Sequence, residues 1–208
     1  MGLYVQYGCG LSAPSDWINF DSSPTLQMQK IPLLGKIVKK VNFPSNVLYG
    51  DIVKGLPNIK ENTCDGIYCS HVLEHLSLND CKQAIKETFS LLKNDGVFRC
   101  VLPDLEFSIN NYIINKSADN PTAAIHFLQS TMLGIEDRPK GFKNKLIALF
   151  GNSHHLWMWD KLALQQELLN VGFKKIRLCE YNDSTDVHFK SVEEENRFYG
   201  AIAFECIK

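Results

Sequence analysis

The sequence lacks the features that would place the chain in several special classes of protein. It has no apolar run near the roughly 20 residues that span a bilayer, and no secretory signal precedes its first predicted strand. The formal net charge at pH 7 is only −1, which provides no electrostatic footprint for nucleic acid or for an acidic membrane. We therefore expect a protein that binds neither nucleic acid nor membrane.

The chain also lacks a disulfide pattern. Its seven cysteines are odd in number, include no Cys-x-x-Cys pair and in several cases lie within apolar runs. There a cysteine acts as a small hydrophobic residue, so this usage indicates a reducing, cytoplasmic environment. The length of 208 residues, the 45% hydrophobic content and the lack of internal repeats predict one globular domain over residues 1–208.

The sequence around residues 65–77 combines a buried strand with a cluster of polar side chains. Gly66–Cys69 is a short apolar run, typical of a strand buried on both faces. Ser70 and His71 follow it directly, and Glu74 and His75 come soon after. Because ligands in open α/β sheets bind at the carboxyl ends of the strands, this stretch is the first candidate for a site.

Residues 71–75 also have the spacing H-x-x-E-H of the inverted zinc peptidases. A zinc site of that kind needs both histidines on one face of a continuous helix, whereas here the motif follows a predicted strand. We therefore predict that no metal is bound, with a zinc hydrolase using His71, Glu74 and His75 as a lesser alternative. The simpler interpretation is a helical turn that packs Leu73 and Leu76 inward.

Near the N-terminus, a glycine turn separates two predicted strands. Gly8-Cys9-Gly10 follows strand 3–7, and glycine permits a positive φ and a close approach of the backbone to a ligand. Asp21 ends the second strand, where a carboxylate suits the two hydroxyl donors of a ribose. Too few residues separate Gly10 from this strand for a full crossover helix, so we expect the first helix to be short or missing.

Further along the chain, Asp51 follows a third predicted strand at 47–49. Its carboxylate suits an exocyclic amine such as the adenine N6, and the alternative is that Asp51 caps the next turn. Apolar spacing then predicts a helix over 78–93 with Ser77 and Asp80 as a capping box, and a fifth strand over 97–102.

The last 100 residues break this alternation of strands and helices. Residues 105–150 predict an insertion with helical stretches at 123–133 and 143–150, placed where a substrate lid is expected. Asp160 predicts the start of a helix over 161–171 that stops at Gly172. Two final strands, at 176–180 and 199–206, enclose polar residues 182–196, which we interpret as a loop outside the core.

A cluster of two histidines and two tryptophans lies within residues 154–159. Imidazole titrates near neutral pH, so His155 is the candidate general base. The alternative is that the tryptophans are core residues and the histidines are ordinary surface residues.

Taken together, the motifs resemble class I S-adenosylmethionine-dependent methyltransferases, and in particular the methyltransferase type 11-like subset. The resemblance covers roughly residues 3–105 and rests on Gly8-Cys9-Gly10, Trp17-Ile18-Asn19-Phe20-Asp21, Gly50-Asp51-Ile52, His71-Val72-Leu73-Glu74-His75 and Pro103-Asp104-Leu105, with His155 to Asp160 as a later match. It implies an α/β fold: a Rossmann-like, doubly wound sheet of seven mostly parallel strands. The last strand would be antiparallel, between the fifth and the sixth.

The resemblance also implies an enzyme with S-adenosyl-L-methionine as its cofactor. The implied cofactor-binding residues are Tyr7, Gly8, Cys9, Gly10, Asp21, Ser22, Asp51, Ile52, Ser70 and His71. We expect methyl transfer to an O or N nucleophile of a small molecule or saccharide, with His155 as the catalytic residue. The rival function is a binding module for S-adenosylmethionine without turnover. The oligomeric state stays open.

Overall fold

The computed structural model describes residues 2–29, 42–137 and 154–208. Its strands are β1 (Tyr4–Tyr7), β2 (Ile18–Asp21), β3 (Val47–Tyr49), β4 (Cys64–Ser70), β5 (Leu92–Pro103), β6 (Lys174–Leu178) and β7 (Ala201–Ile207). Its α-helices are α1 (Pro24–Gln29), α2 (Leu78–Leu91), α3 (Leu105–Ser117), α4 (Ala123–Ser130) and α5 (Lys161–Val171). The helix predicted over 143–150 lies outside the described residues.

All seven strands form one sheet in the order β3-β2-β1-β4-β5-β7-β6. Strands β1 to β5 pair in parallel, whereas β7 pairs antiparallel with both β5 and β6. This is the predicted Rossmann-like α/β sheet, including the antiparallel last strand between the fifth and the sixth.

Helices α2 and α5 cover one face of the sheet. Their buried residues, such as Ile85 and Leu164, pack in one cluster with Val5, Ile67 and Phe98 from the central strands. Both helices start at the predicted caps, since the side chain of Ser77 accepts from the Asp80 N–H and that of Asp160 from the Ala163 N–H. The local signals for these two helices therefore identified them correctly.

The opposite face of β1 and β4 is covered in an unexpected way. In a doubly wound sheet the β1–β2 and β4–β5 crossovers lie on opposite faces, so a helix between β1 and β2 would cover this face. The chain has no helix there, and residues 186–198 take its place. Phe189 and Val192 pack with Tyr4, Trp17 and Tyr68 in a second buried cluster. The interpretation of 182–196 as a loop outside the core was therefore wrong.

A buried arginine holds this cover against the sheet. Arg99, in the middle of β5, is fully buried and donates from Nε to Glu193 at 2.7 Å and from Nη1 to Asp183 at 3.0 Å and Glu205 at 2.8 Å. The backbone carbonyl of Glu180 accepts from its Nη2 at 3.1 Å. Because a buried charge is costly unless it is paired and hydrogen-bonded, this network ties residues 180–193 to the centre of the sheet.

The described part of the insertion, residues 105–137, begins directly after the carboxyl end of β5. Helix α3 starts at its cap Asp104 and buries none of its residues, while α4 packs against α3. Large apolar side chains stay exposed on both helices, among them Ile113, Ile114 and Ile125. Among the described residues, the helices are too short or too polar to cross a membrane.

Candidate functional site

Five parallel strands end at one edge of the sheet, so the loops after β1 to β5 lie side by side. Strands β1 and β4 are neighbours, and from them the chain continues in opposite directions along the sheet. Such a point, where the strand order reverses, is the usual ligand crevice of an open α/β sheet. It brings the loop after Tyr7 next to the loop after Ser70.

The loop after β1 depends on its two glycines for different reasons. Gly8 has φ 66° and Gly10 has φ 56°, both in the left-handed region that favours glycine. A Cβ atom on Gly8 would overlap the side chain of Val72, whereas a Cβ on Gly10 would meet no atom within 4 Å. Gly8 is therefore required by packing, and Gly10 faces open space.

Asp21 holds this glycine loop in place. Its Oδ2 accepts from the Gly10 N–H at 2.9 Å, and its Oδ1 accepts from the Ser23 N–H at 2.7 Å. A carboxylate offers about four acceptor positions, so two remain for hydroxyl donors such as those of a ribose. The bond to Gly10 was missed from sequence. Ser22, which lies between Asp21 and Ser23 in the chain, is exposed.

At the end of β3, Asp51 caps a 3₁₀ turn over Ile52–Lys54. Its Oδ1 accepts from the Val53 N–H at 3.1 Å, and its Oδ2 pairs with Lys54 Nζ at 2.8 Å. Asp51 therefore caps the turn, and its contact with an adenine amine stays a prediction. The side chain of Ile52 is buried in the main core cluster, so it does not extend from the sheet edge.

A cleft opens between the glycine loop Gly8–Gly10, the end of β4 and residues 186–198, which we call the cover segment. It encloses about 300 Å³, including space open to solvent, and is lined by Gln6, Tyr7, Gly8, Cys9, Ser12, Tyr68, Ser70, Val192, Glu194 and Arg197. Of the predicted cofactor residues it brings together Tyr7, Gly8, Cys9 and Ser70. The phenol of Tyr7 contacts the hydroxyl of Thr88 at 3.1 Å in the core.

Two buried hydroxyls at this cleft are close to each other but have no other partner. Ser70 Oγ and Tyr68 Oη interact with one another and make no hydrogen bond to any other group in the described part of the chain. Leaving a buried hydroxyl unpaired is costly, so both are suited to polar atoms of a ligand. Ser70 was predicted from sequence and Tyr68 was missed, although side chains two apart on a strand share one face.

His71 comes directly after β4 and adopts an unusual backbone conformation, with φ 54°. Such a value is uncommon for a residue other than glycine and often marks functional sites. Its Nε2 lies 3.0 Å from the carbonyl oxygen of Arg197, and its Nδ1 lies 3.3 Å from Glu74 Oε1. His71 thus links the β4 loop to the cover segment and does not line the cleft.

The residues after His71 form a short 3₁₀ turn over Leu73–His75 that buries Leu73 and Glu74. The simpler interpretation, a helical turn with Leu73 inward, is therefore confirmed. The continuous helix that an inverted zinc-peptidase motif requires does not form over residues 71–75.

Residues 154–160 cross the carboxyl edge of β4 and β5. The carbonyl oxygen of Glu74 accepts from the Leu156 N–H at 2.7 Å and from the Trp157 N–H at 3.1 Å. Trp159 forms an isolated parallel β-bridge with Asp104. Trp159 is a buried core residue, whereas Trp157 is exposed.

The two histidines of this segment differ in their surroundings. His154 is exposed, but His155 is buried, with Nε2 3.9 Å from Glu74 Oε1. Burial lowers the pKa of His155, and the nearby Glu74 carboxylate offsets only part of this effect, so the imidazole is neutral at neutral pH. Its side chain packs beside the ring of His75 and does not line the cleft.

The N-terminal part of the chain matches a known family. Residues 5–100, somewhat less than half of the 208 residues, match the family described as methyltransferase domain. No curated protein sequence matches this chain.

Solved structures support the same conclusion about the fold of this methyltransferase. A structure of a SAM-dependent methyltransferase from Archaeoglobus fulgidus is similar, with 14% identity, a TM-score of 0.52, and coverage of 100% of this chain and 86% of that chain. So is a SAM-dependent methyltransferase from Thermotoga maritima, described as a possible histamine N-methyltransferase, with 16% identity, a TM-score of 0.52, and coverage of 100% and 83%.

The predicted membership of the class I S-adenosylmethionine-dependent methyltransferases is therefore confirmed. The chain is an enzyme of this class, and its cofactor is S-adenosylmethionine. Strands β2, β3 and β4 and most of β1 and β5 lie within the matched residues, together with the glycine loop and the 3₁₀ turn at Leu73–His75.

Proposed function

We propose that the methyltransferase transfers the methyl group of S-adenosylmethionine to an O or N nucleophile of a small molecule or saccharide. The observation that carries this proposal is the cleft where β1 and β4 diverge, with the hydroxyls of Tyr68 and Ser70 buried beside it and without a partner other than each other. S-Adenosylmethionine has an amino group and a carboxylate at its methionine end, and these polar groups suit the two hydroxyls.

The proposed cofactor site extends from this cleft along the sheet edge. The loop Gly8–Gly10 and Ser70 would hold the methionine part, with the open space beside Gly10 left for the ligand. Asp21 would accept from the ribose hydroxyls with its remaining lone pairs, and Asp51 would accept from the adenine amine. The proposal also keeps Ser22, Ile52 and His71 as cofactor residues, because they follow the ends of β2, β3 and β4.

The methyl-transfer reaction requires little covalent chemistry from the protein. When bound, S-adenosylmethionine supplies an electrophilic methyl group on a sulfonium. The acceptor forms a bond to the methyl carbon as the bond from that carbon to sulfur breaks, so much of the catalysis is positioning of the acceptor in line. We retain His155 as the proposed acceptor of the nucleophile's proton, a group that is neutral in its buried position.

We also propose that residues 105–150 cover the acceptor within a single domain of residues 1–208. Support comes from the described part of this insertion, which follows the carboxyl end of β5 immediately. Exposed apolar side chains there, such as Ile113 and Ile125, provide a surface for an organic acceptor.

Calorimetry with S-adenosylhomocysteine, followed by transfer of a labelled methyl group in fractionated cell extract, tests this function. We expect binding at one site and label in the fraction of small molecules. Absence of binding to folded protein contradicts the proposal as a whole. Binding without transfer to any fraction favours the binding module, and label on macromolecules alone contradicts the proposed acceptor class.

A further inference from the structure

Glu74 presents an unusual problem for a folded protein. Its side chain is fully buried, and neither carboxylate oxygen has a hydrogen-bond partner within the described residues. Burying a carboxylate without compensation is among the most costly arrangements a fold can contain. A buried, unpaired carboxylate therefore indicates that a positive group belongs beside it.

Two histidines lie close enough to Glu74 to bind the same positive group. The Nε2 atom of His155 lies 3.9 Å from Glu74 Oε1, and the rings of His75 and His155 are 4.8 Å apart between centroids. One ligand atom from each of Glu74, His75 and His155 lies within 4.8 Å of the others. Ligands about 2.1 Å from a tetrahedral ion are about 3.4 Å apart, so a small inward movement of these side chains completes the geometry.

The hydrogen bonding of His75 prepares it as a ligand. Its Nδ1 lies 3.1 Å from the carbonyl oxygen of His154, and a carbonyl only accepts, so Nδ1 carries the ring proton. The lone pair is then on Nε2. Metal-binding histidines usually have this arrangement, because a backbone carbonyl on one nitrogen fixes the tautomer and orients the other nitrogen toward the ion.

His71 is a further neighbour of the Glu74 carboxylate. Its Nε2 lies 3.0 Å from the carbonyl oxygen of Arg197, and its Nδ1 lies 3.3 Å from Glu74 Oε1. The buried carboxylate can therefore be compensated either by a metal ion or by a proton on His71, and these two solutions can be distinguished experimentally.

We propose that Glu74, His75 and His155 bind one divalent transition-metal ion of the zinc type. Two imidazoles and one carboxylate suit Zn²⁺, whereas Mg²⁺ prefers ligand sets of oxygen atoms alone. The three ligands come from the turn after β4 and from the segment that crosses the sheet edge. The ion would thus fasten residues 154–160 to that turn.

None of the three proposed ligands lines the proposed cofactor cleft, and a bound ion would reverse the sequence-based expectation that no metal is bound. It also gives His155 a different role. A ligand whose Nε2 holds a metal ion cannot accept the acceptor's proton with the same atom. The two assignments of His155 therefore exclude each other while the ion is bound.

Elemental analysis tests the proposal. The purified protein is stripped with a chelator, dialysed against Zn²⁺ and then against metal-free buffer, and its zinc content is measured. We expect one zinc per chain in the wild type and near-complete loss in Glu74→Gln and His155→Ala. His154→Ala is the matched control, because it removes an exposed neighbouring imidazole and should retain the zinc.

A second readout covers the case in which a variant fails to fold. Zn²⁺ should raise the melting temperature of the stripped wild type, because it binds the native state, whereas Mg²⁺ at the same concentration should not. Wild-type protein that retains no zinc and shows no thermal shift would overturn the proposal and leave the proton on His71. Full retention in folded Glu74→Gln, or equal loss in His154→Ala and His155→Ala, would overturn it as well. Binding of S-adenosylhomocysteine by these variants tests the cofactor cleft separately.

Discussion

Replacing Asp21 with alanine should affect stability and cofactor binding together, because the same carboxylate serves the loop and the proposed ribose site. In the free protein it accepts from the N–H groups of Gly10 and Ser23. A hydrogen bond to a charged group contributes about 1.5–3 kcal/mol, with the low end appropriate for these partly buried donors. Losing both should lower the free energy of unfolding by about 3 kcal/mol.

The effect on binding has a separate origin. A lost hydrogen bond from a ribose hydroxyl to the carboxylate is worth about 1.5–3 kcal/mol, which corresponds to an increase of about tenfold to a hundredfold in Kd. Urea unfolding measures the first effect and calorimetry with S-adenosylhomocysteine the second. Asp21→Asn should lose less stability, because its amide oxygen still accepts one of the two bonds.

Ser22→Ala is the matched control for Asp21→Ala, since Ser22 is adjacent and exposed. It should leave the unfolding free energy within about 0.5 kcal/mol of the wild type. If Asp21→Ala unfolds at the wild-type urea concentration, the carboxylate does not hold the glycine loop. If the folded variant binds S-adenosylhomocysteine as tightly as the wild type, Asp21 is not part of the cofactor site.

Gly10→Val should abolish cofactor binding in calorimetry with only a modest fall in melting temperature, whereas Gly8→Val should unfold the protein because its side chain overlaps a neighbour; equal stability of the two variants would contradict this distinction. His155→Ala should lower kcat by about 10²–10⁴-fold if the imidazole is the base, with S-adenosylhomocysteine affinity within about twofold, and normal turnover would show that positioning alone carries the reaction. Burial acts to raise the pKa of Asp183, but hydrogen bonds from two arginines outweigh it and lower the pKa to about 2. Its contribution to stability is therefore complete above its unfolded pKa and is lost as the pH falls towards 2, so Asp183→Asn should flatten that part of the stability profile in acid unfolding.

The parts of the fold that sequence predicted well carry local signals. Helices α2 and α5 show an apolar stripe, a capping side chain at the start and, for α5, a glycine at the end. Helix α3 was not predicted, because it buries no residue and so has no apolar stripe to detect. The core role of Phe189 was missed for a related reason, since it is an isolated apolar residue in a polar stretch.

The features of the candidate site also fall into those that have a local sequence signal and those that depend on the fold. The glycine loop and the H-x-x-E-H spacing can be seen in a few consecutive residues. The bond from Gly10 to Asp21, and the approach of His155 to Glu74 from far along the chain, depend on the sheet that brings them together. The burial of Arg99 and its partners could not be predicted from the sequence. A strand sequence does not show which acidic residues will surround a buried guanidinium.

The missing first helix has a consequence for the site itself. Residues 186–198 occupy the face of β1 and β4 where that helix would pack, and the same segment brings Glu194 and Arg197 to the cleft wall. Glu193, next to Glu194, is held by the buried Arg99 in β5. An ion-pair network in the middle of the sheet therefore holds this wall of the cleft, which faces the wall formed by the loop that follows β1. The cleft is therefore formed by two parts of the chain. One is the N-terminal half, which carries the family motifs, and the other is a C-terminal segment that lies outside the matched residues.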